Sequence, residues 1–130
     1  MRRTFGSALV LSGLLALSQG VWASGDLEMD MKRLAKSTMA FAEAKDAVQA
    51  KKQLLIMRKA TVASKKSRPH KLERLPAEHE QVKSYQQGLD LLITEIDKLI
   101  VLVDQGKLEQ AQSQGMSLVK IRNEYHKKFR

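Results

Sequence analysis

Residues 82–106 read VKSYQQGLDLLITEIDKLIVLVDQG, and this stretch decides the fold. Val82, Tyr85, Leu89, Leu92, Ile93, Ile96, Leu99, Ile100 and Val103 recur at the three- and four-residue spacing of one helical face. They predict a helix of about six turns with a broad apolar side. Gly106 follows where a C-terminal capping glycine is expected. Beyond it, Leu108, Ala111, Leu118, Ile121, Tyr125 and Phe129 mark a fourth helix. A link at about 105–107 is short enough to make the two an antiparallel hairpin.

Upstream, Leu27, Met31, Leu34, Thr38 and Phe41 step by four, three, four and three, which draws a narrow stripe along a first helix. Asp26 and Glu28 lie in its first turn, beside the positive end of the macrodipole. Asp46 is placed to cap a second helix, whose stripe runs through Leu54 and Met57 and continues with Ala60 and Ala63. Another short link, at about 44–46, joins these two helices. Both prolines, Pro69 and Pro76, fall between the second and third helices, so residues 67–78 form the one long connection. The expected architecture is all-α, an up-down-up-down antiparallel four-helix bundle.

Composition agrees. Aromatic residues are 5% of the 130, with seven glycines and two prolines, too few turn and β-forming residues for a sandwich or barrel. The absence of cysteine excludes disulfides, thiolate metal sites, iron–sulfur clusters and covalent attachment of haem through C-x-x-C-H. Residues 1–23 read as a secretory signal peptide. Arg2 and Arg3 precede an uncharged run from Ala8 to Ser18, and Val21-Trp22-Ala23 supplies the small residues of a cleavage site. The run is about half the 18–20 apolar residues of a membrane anchor. The domain is therefore expected at 24–130, exported, with no transmembrane span. Removal of the two arginines lowers the formal charge from +9 to +7.

Chemistry inside such a bundle centres on Met31 and His126. Antiparallel alternation brings the start of the first helix and the end of the fourth to one end. Met31 lies about five residues inside one helix and His126 about three from the end of the other, which sets them within roughly 3 Å of the same level. A thioether and an imidazole facing across a core make a suitable axial pair for haem iron. Spacing alone leaves the plainer readings open, because methionine on a helical stripe is ordinarily core and histidine near a helix C-terminus is ordinarily a favourable end charge.

From Gly25 onward the sequence resembles the soluble periplasmic cytochrome b562 family. The resemblance rests on Asp26-Leu27-Glu28 with Met31, Met57-Arg58, Lys71-Leu72-Glu73, Gly88 with Asp90, Ile96-Asp97, Gly106-Lys107, and the closing Arg122-Asn123, Tyr125-His126, Lys128 and Arg130. It implies one non-covalent haem b per chain, with Met31 and His126 as the iron's axial ligands. Met57 matches the family's second pocket methionine and is expected to pack rather than ligate. Where the family has phenylalanine, this chain has Tyr85 and Leu89, both still apolar enough to wall a porphyrin. The expected slot is lined by Leu34, Met57, Leu89 and Ile121.

Filling both axial positions removes the open site that oxygen chemistry needs, so the resemblance implies one-electron transfer and no enzyme activity. No catalytic triad, phosphate loop or H-E-x-x-H motif is present. His70 and His79, with Glu73, Glu78 and Glu80, read as a solvated polar loop rather than a metal site. Nine basic residues between Lys51 and Arg74 face only Glu73 in sequence. Lys65, Lys66, Arg68, Lys71 and Arg74, with Lys127, Lys128 and Arg130, are expected at the His126 end, where they would attract an acidic redox partner. Nucleic acid is not expected as a partner, and a monomer is. The competing function is a haem-free exported bundle that uses its basic face as a binding or chaperone-like module.

Overall fold

The computed structural model of the chain describes residues 27–129, and every regular element among them is helical. The expected signal peptide lies outside the described residues. Helix α1 occupies 27–43. It is followed by α2 (Ala47–Ser64), α3 (Glu80–Asp104), α4 (Leu108–Gln114) and α5 (Met116–Phe129). The order and short links are those of the four-helix bundle, with α4 and α5 together forming its fourth rod.

Local chemistry fixes the helix ends. The Asp46 carboxylate accepts a hydrogen bond from the Gln49 amide at 2.8 Å, capping α2. His79 Nδ1 accepts from the Gln81 amide at 3.1 Å and caps α3. Gly106 adopts a φ of +78°, the left-handed conformation that lets the chain turn sharply out of α3. The carbonyls at the end of α1 find a donor on another helix. Gln112 Nε2 of α4 donates to Phe41 O at 3.0 Å and to Ala44 O at 2.9 Å.

Three ion pairs establish the antiparallel register of α2 and α3. Lys51 pairs with Asp104 at 3.0 Å, Arg58 with Asp97 at 2.7 Å, and Lys65 with Asp90. The members are seven residues apart on both helices, the heptad period of flanking charges in packed helix pairs. Asp97 raises the Arg58 pKa, first by hydrogen bonding and then by its charge.

Two sequence expectations need correction. The fourth helix is not continuous: it tightens at Gly115, where the Leu118 amide bonds Gly115 O at 3.0 Å in an i to i+3 turn. Gly115 packs under Phe41, and a Cβ there would stand 3.0 Å from that ring. The inner stripe of α2 ends differently as well. Thr61 and Ser64 are buried beside Ala50, Leu54, Met57 and Ala60, whereas Ala63 is only half-buried. Both hydroxyls are satisfied within the helix, on Met57 O and Ala60 O, each at 2.8 Å.

The main core joins Leu34 and Phe41 of α1 to Leu54 and Met57 of α2, Leu92, Ile96, Leu99 and Val103 of α3, and Ala111 and Leu118 of the fourth rod. A second cluster sits at the other end. There Leu72 plugs the bundle from a short 3-10 turn in the long connection, against Val82, Tyr85, Leu89 and Phe129. The functional residues lie between these clusters.

Candidate haem site

A cavity of about 350 Å³ opens at the end of the bundle where α1 starts and α5 finishes. Its walls are Leu27, Met31 and Leu34 from α1, Tyr85, Gly88, Leu89 and Leu92 from α3, and Ile121, Tyr125 and Phe129 from α5. Its volume falls within the range of ordinary ligand pockets, about 300–1,000 Å³. The lining is mostly apolar. Polar groups on it are Glu28, Arg68, His70, Arg122 and His126.

Met31 and His126, 95 positions apart in sequence, line this one cavity. Met31 is half-buried on α1, and His126 is exposed in the last turn of α5. Leu34, Leu89 and Ile121 line it as expected, but Met57 does not. Met57 is instead fully buried in the main core, packed in one cluster with Leu34 and Leu92.

The ring lattice behind the cavity is held by close packing. Tyr85 and Phe129 meet edge to face at 5.7 Å, and Phe129 stacks on Tyr125 at 6.2 Å. The Tyr85 hydroxyl donates to Ser64 O at 3.1 Å, so its phenol needs no partner in the cavity. Burial, aided by the Asp30 charge, pushes that phenol well above the usual tyrosine range. Gly88 permits α5 to approach α3, since a Cβ at this position would meet the Tyr125 ring at 2.6 Å.

Of the polar rim, Arg68 is where the sequence places it, at the His126 end, whereas His70 and Arg122 carry no sequence signal for it. Arg68, Pro69 and His70 reach the cavity because the chain doubles back after α2, and Arg122 reaches it from α5. Arg68 donates to Leu75 O, and His70 Nδ1 lies 2.8 Å from Glu73 Oε1. His79 is engaged as the α3 cap and does not join His70. Among the described residues no cluster of three or more His, Asp or Glu is arranged to hold a metal ion.

The basic end is less concentrated than the residue count suggests. Of the nine cations from Lys51 to Arg74, Lys51, Arg58 and Lys65 are paired along α3. Lys128 donates to Ser84 Oγ at 2.8 Å and lies over the Tyr125 and Phe129 rings at 5.9 and 5.6 Å. Lys66, Lys71, Arg74 and Lys127 remain exposed, whereas Arg130 lies outside the described residues.

The residues present fit a haem in two respects. The cavity offers one soft thioether and one imidazole, the donor set suited to low-spin iron, and its walls are apolar on three helices. Comparison with known proteins points the same way. The family model for cytochrome b562 matches residues 26–130. A probable soluble cytochrome b562 from Yersinia pestis is 35% identical over 123 residues, covering 95% of each chain. A second probable soluble cytochrome b562 of that organism is 34% identical over 74 residues, 57% of this chain and 58% of that one. An uncharacterized protein of Pasteurella multocida is 29% identical over 116 residues, 89% of each. Helix order, cavity and sequence agree, and the chain belongs to the cytochrome b562 family.

Proposed function

We propose that the protein is a periplasmic one-electron carrier that holds a single non-covalent haem b between Met31 and His126. The observation that carries this reading is the convergence of a thioether and an imidazole on one apolar cavity at the open end of the bundle. When bound, haem would supply reversible one-electron exchange at iron. Met31 through its thioether sulfur and His126 through its imidazole would hold the group. Leu34, Leu89, Leu92 and Ile121 would exclude water from the porphyrin faces, and an apolar surround with a methionine ligand favours a raised potential. Arg68 and Arg122, which also line the cavity, would offset the charge of the propionates.

Export follows from the signal-peptide pattern at 1–23, and among the described residues no helix is long and apolar enough to cross a membrane. We assign no enzyme activity, and we favour a monomer that meets an acidic redox protein at its basic end. The test is an absorption spectrum of protein purified with haem available. A Soret band with sharp visible bands on reduction is expected, and His126→Ala should abolish the six-coordinate low-spin form. A colourless protein that takes up no added haem would overturn the reading and leave the haem-free binding module in its place.

A further inference from the structure

Helix α2 carries its bulkier aliphatic residues on both sides. Val48, Leu55 and Val62 are 79%, 48% and 38% exposed on the face opposite the core. Lys52, Lys59 and Lys66 fall between them and are also exposed. In chain order the outer face therefore reads Val48, Lys52, Leu55, Lys59 and Val62, at steps of four, three, four and three, and Lys66 follows four residues on, in the turn just past the helix end. That is the a/d spacing of a coiled-coil seam, with aliphatic residues at one position and lysine at the other. Val48, Lys52, Leu55 and Lys59 also border a shallow groove on the same face.

The lysines of this seam are distinct from those that hold the bundle. Lys51, Arg58 and Lys65, one position earlier in each case, are engaged by α3 carboxylates. Lys52, Lys59 and Lys66 make no ion pair among the described residues. The sequence has no acidic residue from 47 to 72, so α2 supplies no counter-charge of its own.

We propose that the outer face of α2 is a docking seam for an acidic amphipathic helix of a partner protein. Such a helix would place apolar residues against Val48, Leu55 and Val62 and carboxylates against Lys52, Lys59 and Lys66. The alternation excludes a second copy of this chain. A parallel copy would face lysine with lysine, and an antiparallel one would bury each ammonium against Val or Leu without counter-charge. A lipid surface is matched by an apolar stripe with cations at its flanks, whereas here the cations share the central line. Because the seam ends at Lys66, two residues before Arg68 on the cavity rim, the docked helix would end beside the site. The inference does not rest on haem, since it concerns binding alone.

The experiment uses ¹⁵N-labelled protein at low salt and a synthetic three-heptad peptide with leucine at d and glutamate at a. A peptide with lysine at a, and phosphatidylglycerol vesicles, serve as comparisons. The glutamate peptide should shift amides of residues 48–66, and its affinity should fall at least tenfold with K52E/K59E/K66E and severalfold with Leu55→Ser. Circular dichroism checks that both variants keep their helix content. The proposal is overturned if the lysine peptide binds equally well, or if shifts fall outside residues 48–66. Binding to vesicles but not to peptide, or self-association through α2, would overturn it too.

Discussion

Gly88→Ala sets intrinsic helix preference against packing. In an isolated helix, alanine is better than glycine by about 0.8–1.0 kcal/mol, so an unconstrained position in α3 would gain stability. Here the added methyl would stand 2.6 Å from two Tyr125 ring atoms and 2.9 Å from a third. Comfortable carbon contacts need about 3.5–4.0 Å, so the ring must retreat by about 1 Å. Its retreat would disturb the stack on Phe129, which in turn abuts Tyr85. Overpacking of this kind costs about 1–3 kcal/mol. The net expectation is a loss of about 0–2 kcal/mol in urea unfolding of the haem-free protein, with weakened haem retention because His126 follows Tyr125 on α5. In a Tyr125→Ala background the same substitution should turn stabilising by about 1 kcal/mol, since only helix preference remains. A single Gly88→Ala variant more stable than the parent by that amount would refute the close approach of α3 and α5.

Two further outcomes follow from burial. Met57→Ala should destabilise the fold by about 2–5 kcal/mol through a core cavity, yet leave the axial ligation of bound haem spectroscopically unchanged; altered ligation would make Met57 part of the site. Tyr85 is protonated more tightly in the folded than in the unfolded chain, so its contribution is complete below the unfolded tyrosine value of about 10 and declines as pH rises above it. Tyr85→Phe should cost about 0.5–1.5 kcal/mol at neutral pH through the lost bond to Ser64 O, and flatten that alkaline decline in denaturation midpoints.

The apolar face of α3, Gly106 and the Asp46 cap were all legible because each is a local rule acting over a few residues. The link boundaries at 44–46 and 105–107 follow from the same rules and match the structure. What escaped is what depends on a neighbour. Gly115 reads as an ordinary helical position until Phe41 of α1 is packed against it. Thr61 and Ser64 look polar in sequence and are buried because their hydroxyls return to their own helix. The heptad charge ladder of α2 and α3 was present in Lys51, Arg58 and Lys65 and in Asp90, Asp97 and Asp104, but a search for apolar spacing passes over it.

The candidate site shows the same division. Met31 and His126 reach one cavity because helix rise and antiparallel order fix their level, and both can be counted from sequence. Met57 belongs to the buried core and not to the cavity lining, a distinction that its place on the α2 stripe does not carry. Arg68 reaches the cavity end as its place just after α2 implies, whereas His70 depends on the path of the 65–79 connection, which no periodicity encodes.

The central claim is that Met31 and His126 are the two ligands of one haem, and the most direct measurement is proton NMR of the reduced, haem-loaded protein. A methionine bound to diamagnetic iron holds its methyl group over the porphyrin, where the ring current drives its three-proton resonance far upfield of all ordinary methyls. One such resonance is expected, assigned to Met31 and lost in Met31→Leu, with low-spin six-coordinate character lost in His126→Ala. An upfield methyl that survives Met31→Leu, or none in the parent protein, would contradict it.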